Sequence, residues 1–176
     1  MTTAEIIAAC YNDTNLPFLV IGGLAVIAHG HPRTTVDLDY LARRADREAW
    51  QKVLVEYGYE AGHAHDNFTQ FVSARGWIDL DLMFVNDQTF DKMFAASELK
   101  SVGPARVRFP SLEHLLALKL HVLKQNLPHR MLGDLDDIIN LVMANRIDLR
   151  EEKWRQWFTK YGNLDLYEKA LFATSS

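Results

Sequence analysis

The sequence predicts an α+β protein: a sheet with flanking helices over residues 1–110, followed by a helical region over residues 111–176 packed on it. Three observations predict this class. Short runs of strand character recur at Phe18–Ile21, Val36–Tyr40, Phe68–Ser73 and Trp77–Val85. Stretches with apolar residues at helical spacing lie between them. After Pro110 the helical spacing continues without another strand-like run.

Residues 3–11 space Ile6, Ile7 and Cys10 along one side of a helix, and residues 12–17 read as a loop. The apolar strand Phe18–Ile21 runs into Gly22 and Gly23. Leu24–His29 has helical composition until Gly30, His31 and Pro32 break it. Val36–Tyr40 is the second strand. Arg43, Arg44, Asp46, Arg47 and Glu48 read as a solvated loop leading into a helix. That helix starts at Asp46 as N-cap, buries Trp50, Val53 and Leu54, and ends at Gly58. Tyr59–Asn67 is polar. Its His63, His65 and Asp66 lack a third metal ligand placed by the sequence, so the stretch reads as a loop.

Phe68–Ser73 and Trp77–Val85 form a hairpin about Arg75-Gly76. Residues 87–96 are helical, and residues 102–109 are a loop with a short strand. Ser111 caps the next helix, which runs to about Gln125 with Leu112, Leu115, Leu116, Leu120 and Leu123 on its apolar face. A helix over about 131–144 and one or two more over 150–172 complete the chain.

Bulk properties narrow the function. A net charge of −4, from 19 Lys and Arg against 23 Asp and Glu, argues against a general nucleic-acid binder. Lys119, Lys124, His129 and Arg130 still offer a small basic patch. The single Cys10 excludes an internal disulfide and a cysteine-rich zinc site. No stretch is long and apolar enough to cross a membrane, and the first residues lack a basic segment followed by an apolar run. A cytoplasmic location is therefore expected.

The chemistry concentrates in two strands. Side chains alternate along a strand, so Asp37 and Asp39 share one face while Val36, Leu38 and Tyr40 take the other. Neighbouring carboxylates repel, and a divalent cation held by oxygen ligands relieves the repulsion. Asp79 and Asp81 repeat the arrangement on the later strand. Gly22 and Gly23, at a strand-to-helix junction, let a ligand approach the backbone, and a helix N-terminus there suits phosphate. Arg33, on the approach to the carboxylate strand, matches phosphate oxygens, and Thr35 either fixes the loop or donates to phosphate.

Gly22-Gly23, a spacer of thirteen residues (24–36) and Asp37-Leu38-Asp39 resemble the signature of the DNA polymerase β nucleotidyltransferase superfamily. The fuller pattern, GG-x-A followed by R-T-T-x-D-L-D, resembles small bacterial members of the AbiEii/MenT type, many of them toxin halves of toxin–antitoxin pairs. The resemblance implies a mixed nucleotidyltransferase sheet. It implies transfer of a nucleoside monophosphate from an NTP, ATP among them, to a hydroxyl acceptor, with pyrophosphate leaving. Asp37 and Asp39 would hold two Mg2+ ions, with Gly22-Gly23, Arg33 and Thr35 on the nucleotide. A third carboxylate stands on a neighbouring strand. Asp81 is preferred, because the LMFVNDQTF that follows it resembles the family's continuation, and Asp79 stays open.

The family also carries a lysine on the helix matched by Lys119, which would meet the triphosphate. Arg130, Asp134 and Asp137 match in outline, with Gly133 where homologues often have a basic residue. Asp134 and Asp137 also fit stabilisation of a helix N-terminus, and that reading is preferred to a catalytic one. The acceptors implied are tRNA 3′ ends, a protein hydroxyl or a small molecule such as an aminoglycoside, and the toxin reading adds an antitoxin protein as partner. The alternative is a catalytically silent nucleotide-fold protein acting as a partner-binding or regulatory module. The intact aspartates argue against it. A metal-dependent phosphohydrolase would add histidines at strand ends, whereas the histidines here read mostly as loop residues.

Overall fold

The computed structural model describes residues 2–103, 105–125 and 128–175, without the side chains of residue 13 and residues 128–132. The chain divides into two compact units, one of residues 1–25 and 33–111, the other of residues 26–32 and 112–176.

The first unit opens with α1 (Thr3–Asp13), capped reciprocally by Thr2 and Glu5. Strand β1 (Phe18–Val20) is wholly buried. Helix α2 (Gly22–Ala28) begins here, and β2 (Asp37–Arg43) follows. A short 3-10 turn (Arg44–Asp46) leads into α3 (Arg47–Glu56). Then come β3 (Tyr59–His65), β4 (Phe68–Ser73), β5 (Asp79–Val85), α4 (Asp87–Ala95), β6 (Glu98–Val102) and β7 (Ala105–Phe109). The main sheet has the order β1-β2-β5-β4-β3. Only β2 and β5 pair in parallel, so the sheet is mixed. β6 and β7 form a separate hairpin.

One face of the sheet makes the core. Leu38, Tyr40, Leu80, Leu82 and Phe71 are buried on it. Phe18, Tyr40 and Trp50 cluster there, Phe18 tilted against Tyr40 with ring centroids 4.4 Å apart and edge-on to Trp50 at 5.5 Å.

Three expectations need correction. Tyr59–His65 is not a loop but the edge strand β3. Only Tyr59 is buried there, its hydroxyl donating to the Ile78 carbonyl, and every later side chain is exposed. An edge strand held by backbone bonds to one neighbour needs no alternation of apolar side chains, so no period-two signal marks it. Glu98–Val102, for which the sequence carried no assignment, is also a strand, with three exposed and two half-buried residues. β2 starts at Asp37, leaving Val36 81% exposed rather than packed. Asp46 stands at the N-cap position of α3 but makes no capping hydrogen bond.

The charge run before α3 is also more engaged than a solvated loop. Arg47 donates to the carbonyls of His65, Asp66 and Phe68 and to the Thr69 hydroxyl, and its guanidinium lies over the Phe84 ring. It therefore staples the β3–β4 turn. Arg43 pairs with Asp91 at 2.6 Å.

The second unit is helical: α5 (Leu112–Lys124), α6 (Pro128–Ala144), α7 (Glu152–Tyr161) and α8 (Leu164–Thr174), with residues 26–32 grouped among them. α6 starts three residues earlier than its apolar spacing indicates. Asn163 separates the last two helices by capping α8, its carbonyl oxygen accepting from the Leu166 amide. Leu115, Leu116, Leu120, Leu123, Ile138, Leu141, Val142, Trp154 and Phe158 fill its core. Among the described residues no helix is long and apolar enough to cross a membrane.

Candidate metal and nucleotide site

β2 and β5 run in parallel with Asp37 opposite Asp79 and Asp39 opposite Asp81. All four carboxylates thus stand on the sheet face turned away from Leu38, Tyr40, Leu80 and Leu82. Gln70 of β4 lies opposite Asp81 on the same face. The strand sequences dictate this: the apolar partners must face the core, and period two then sends every aspartate outward.

Of the four, Asp37, Asp39 and Asp81 bring one carboxylate oxygen each to within 4.8 Å of one another, and all three are half-buried. Among the described residues this is the group of three or more such side chains able to hold a metal ion. Asp79 is engaged otherwise: its Oδ1 accepts the Ser73 amide at 3.1 Å. Three hard oxygen donors converging on one point suit Mg2+, which takes oxygen ligands in octahedral geometry. The residues present therefore fit a divalent cation.

The glycine pair is explained by the carboxylates. Gly22 has φ +59, and a Cβ there would lie 1.9 Å from Asp39 Oδ2. A Cβ on Gly23 would lie 2.5 Å from Thr35 Oγ1. Thr35 in turn donates to Asp37 Oδ1 at 2.9 Å. The missing side chains of Gly22 and Gly23 thus make room for Asp39 and for the hydroxyl that orients Asp37. Nothing in the sequence signals this interlock beyond Thr35 standing two residues before Asp37. Arg33 is exposed, and its Nε donates to the Thr34 carbonyl at 3.2 Å.

Gly22→Ala should act on the carboxylates directly. Left-handed backbone on a residue with Cβ costs about 1–3 kcal/mol. Displacement of Asp39 should weaken Mn2+ or Mg2+ binding about 10- to 100-fold, the usual scale for a misoriented metal ligand. Thermal denaturation and metal titration calorimetry read the two effects separately.

Lys119 belongs to the helical unit. Its side chain is 8% exposed and its Nζ lies 2.6 Å from Asp137 Oδ2 and 2.8 Å from Asp134 Oδ1. Asp137 and Asp134 therefore hold a buried cation, a role different from a helix N-terminus. His29 is buried in the same unit, and its carbonyl accepts from the Asn145 side chain. The side chains of His129 and Arg130 lie outside the described residues. His63 and His65 sit on exposed β3 with ring centroids 5.9 Å apart.

No protein-family model matches the chain, and no curated protein does. Solved structures do. ANT(2″)-Ia, solved with adenylyl-2″-tobramycin, superposes with a TM-score of 0.65 at 16% identity, over 89% of this chain and 92% of that one. An antigenic nucleotidyltransferase-like protein from Paracoccidioides brasiliensis gives 0.60 at 17% identity, over 97% and 90%. The lincosamide antibiotic adenylyltransferase LnuA, lincomycin-bound, gives 0.55 at 17% identity, over 78% and 92%. The chain has a nucleotidyltransferase fold, and on its sheet stands an aspartate triad able to bind metal.

Proposed function

We propose that the protein is a metal-dependent nucleotidyltransferase that moves a nucleoside monophosphate from an NTP to a hydroxyl acceptor and releases pyrophosphate. The observation that carries this is the convergence of Asp37, Asp39 and Asp81 on adjacent parallel strands of a nucleotidyltransferase fold. Asp37 and Asp39 would hold two Mg2+ ions, and Asp81 would complete the set. A metal held there would supply charge neutralisation for the phosphates and a lower pKa for an acceptor hydroxyl. Asp81 would also accept the hydroxyl proton. Thr35 keeps Asp37 oriented through its hydrogen bond. The backbone at Gly22 and Gly23 would face the phosphates, and Arg33 would balance their charge.

The acceptor divides the possibilities. Antibiotics named with ANT(2″)-Ia and LnuA support a small hydroxylated molecule. The R-T-T-x-D-L-D pattern supports a toxin acting on tRNA or a protein, with an antitoxin partner, in the cytoplasm where NTPs are available. The deciding experiment measures pyrophosphate release from each of the four NTPs, with RNA extract, protein extract and aminocyclitols as acceptors. Label transfer to one acceptor, abolished by EDTA and by Asp39→Ala, is the expected result. Failure of every Mg2+–NTP to bind by calorimetry would overturn the proposal.

A further inference from the structure

The ladder between β4 and β5 ends at Phe71 opposite Leu80, two residues short of the end of β4. The Ser73 amide, which the ladder leaves over, donates instead to Asp79 Oδ1 at 3.1 Å. Ser73 then turns its own hydroxyl inward, accepting from the amides of Arg75 at 3.2 Å and Trp77 at 3.0 Å. On the other side of β4 the neighbouring Ala74 amide donates to the Gly58 carbonyl. Tyr59 closes the same turn, bonding Ile78 through its hydroxyl and meeting Trp77 edge-on at 6.3 Å. The Ala74 bond ties the end of β4 to the start of β3, and the other bonds hold the connection between β4 and β5. Asp81 is two residues beyond Asp79 on β5, opposite Asp39 of β2.

We propose that Asp79 is a positioning residue: its carboxylate clasps the β4–β5 turn through Ser73 and thereby holds Asp81 in the triad. The inference rests on the metal-site reading above. It separates two aspartates that strand alternation alone makes equivalent. Asp81 offers its oxygen to the metal, while Asp79 spends one oxygen on the backbone. A carboxylate suits the task because a charged acceptor binds an amide more strongly than a neutral one.

The test compares Asp79→Ala, Asp79→Asn and Asp81→Asn in the full chain. Mn2+ affinity is measured by calorimetry without nucleotide, and Ser73 amide exchange by NMR. Asp79→Ala should weaken Mn2+ binding about tenfold, the range for loss of an outer-shell partner. It should also speed Ser73 exchange about tenfold or more, the equivalent of one charge-assisted bond. Asp79→Asn, which keeps an acceptor oxygen, should restore most of both. Asp81→Asn should lose far more Mn2+ affinity and leave Ser73 protected. A loss in Asp79→Asn equal to that in Asp81→Asn would make Asp79 a ligand and overturn the proposal, as would an Asp79→Ala variant indistinguishable from wild type. Failure of wild type to bind Mn2+ at all would overturn the metal-site reading. Ser73 exchange would then show whether the clasp itself exists.

Discussion

Asp39→Asn should lower nucleotide transfer by about a thousandfold or more, while the melting temperature stays at or above that of the wild type. The kinetic effect follows from what metal-bound carboxylates supply. Charge stabilisation by a bound divalent ion is worth several kcal/mol in the transition state, and each 1.36 kcal/mol is about tenfold in rate. Asp39 belongs to the triad, opposite Asp81 and against Gly22. Its amide counterpart fits the same space but contributes no charge. The stability effect follows from repulsion: in the absence of metal, removing one of the clustered carboxylates relieves the fold. Steady-state kinetics with Mg2+ and thermal denaturation in EDTA read the two. A variant that retains activity, or one whose activity falls only because it unfolds, would contradict the assignment.

Lys119→Ala should destabilise the protein by about 3–5 kcal/mol, because removing one partner of a buried ion pair leaves the other uncompensated. The burial is near complete: Lys119 and Asp137 side chains are 8% and 4% exposed. Here one cation serves two carboxylates, so its loss removes the charge partner of both Asp134 and Asp137. Urea denaturation at neutral pH measures the loss. A change below about 1 kcal/mol, the scale of an exposed pair, would show that the cluster is not buried in solution. Replacing all three residues with apolar ones of similar volume should recover most of the stability. NTP affinity measured in that folded triple variant tests the triphosphate role of Lys119 separately from its structural one.

Much of the fold was legible because burial imposes a period. The β2 and β5 patterns alternate without exception at Asp37-Leu38-Asp39-Tyr40 and Asp79-Leu80-Asp81-Leu82, and the leucines and Tyr40 are fully buried. The helices after Pro110 announce themselves by leucines at three- and four-residue spacing. β3 and β6 escaped, since strands with exposed side chains are held by backbone bonds that carry no residue signature. Arg47 escaped for a related reason: its partners are carbonyls of residues 65, 66 and 68, and a carbonyl has no sequence identity.

Composition and alternation by themselves determined the α+β class, the two aspartate strands and the sharing of one face by each pair. Those properties follow from local geometry, in which each residue's face depends on its neighbours along the chain. Which strands adjoin, and in what register, only the tertiary structure decided. Pairing of β2 with β5 in parallel brought Asp81 to Asp39, and the end of the β4–β5 ladder turned Asp79 toward Ser73. The same holds for Gly22, whose lack of a side chain is required by an Asp39 seventeen residues away. Contacts of this kind depend on long-range pairing, which a strand's own side chains do not specify without those of its neighbour.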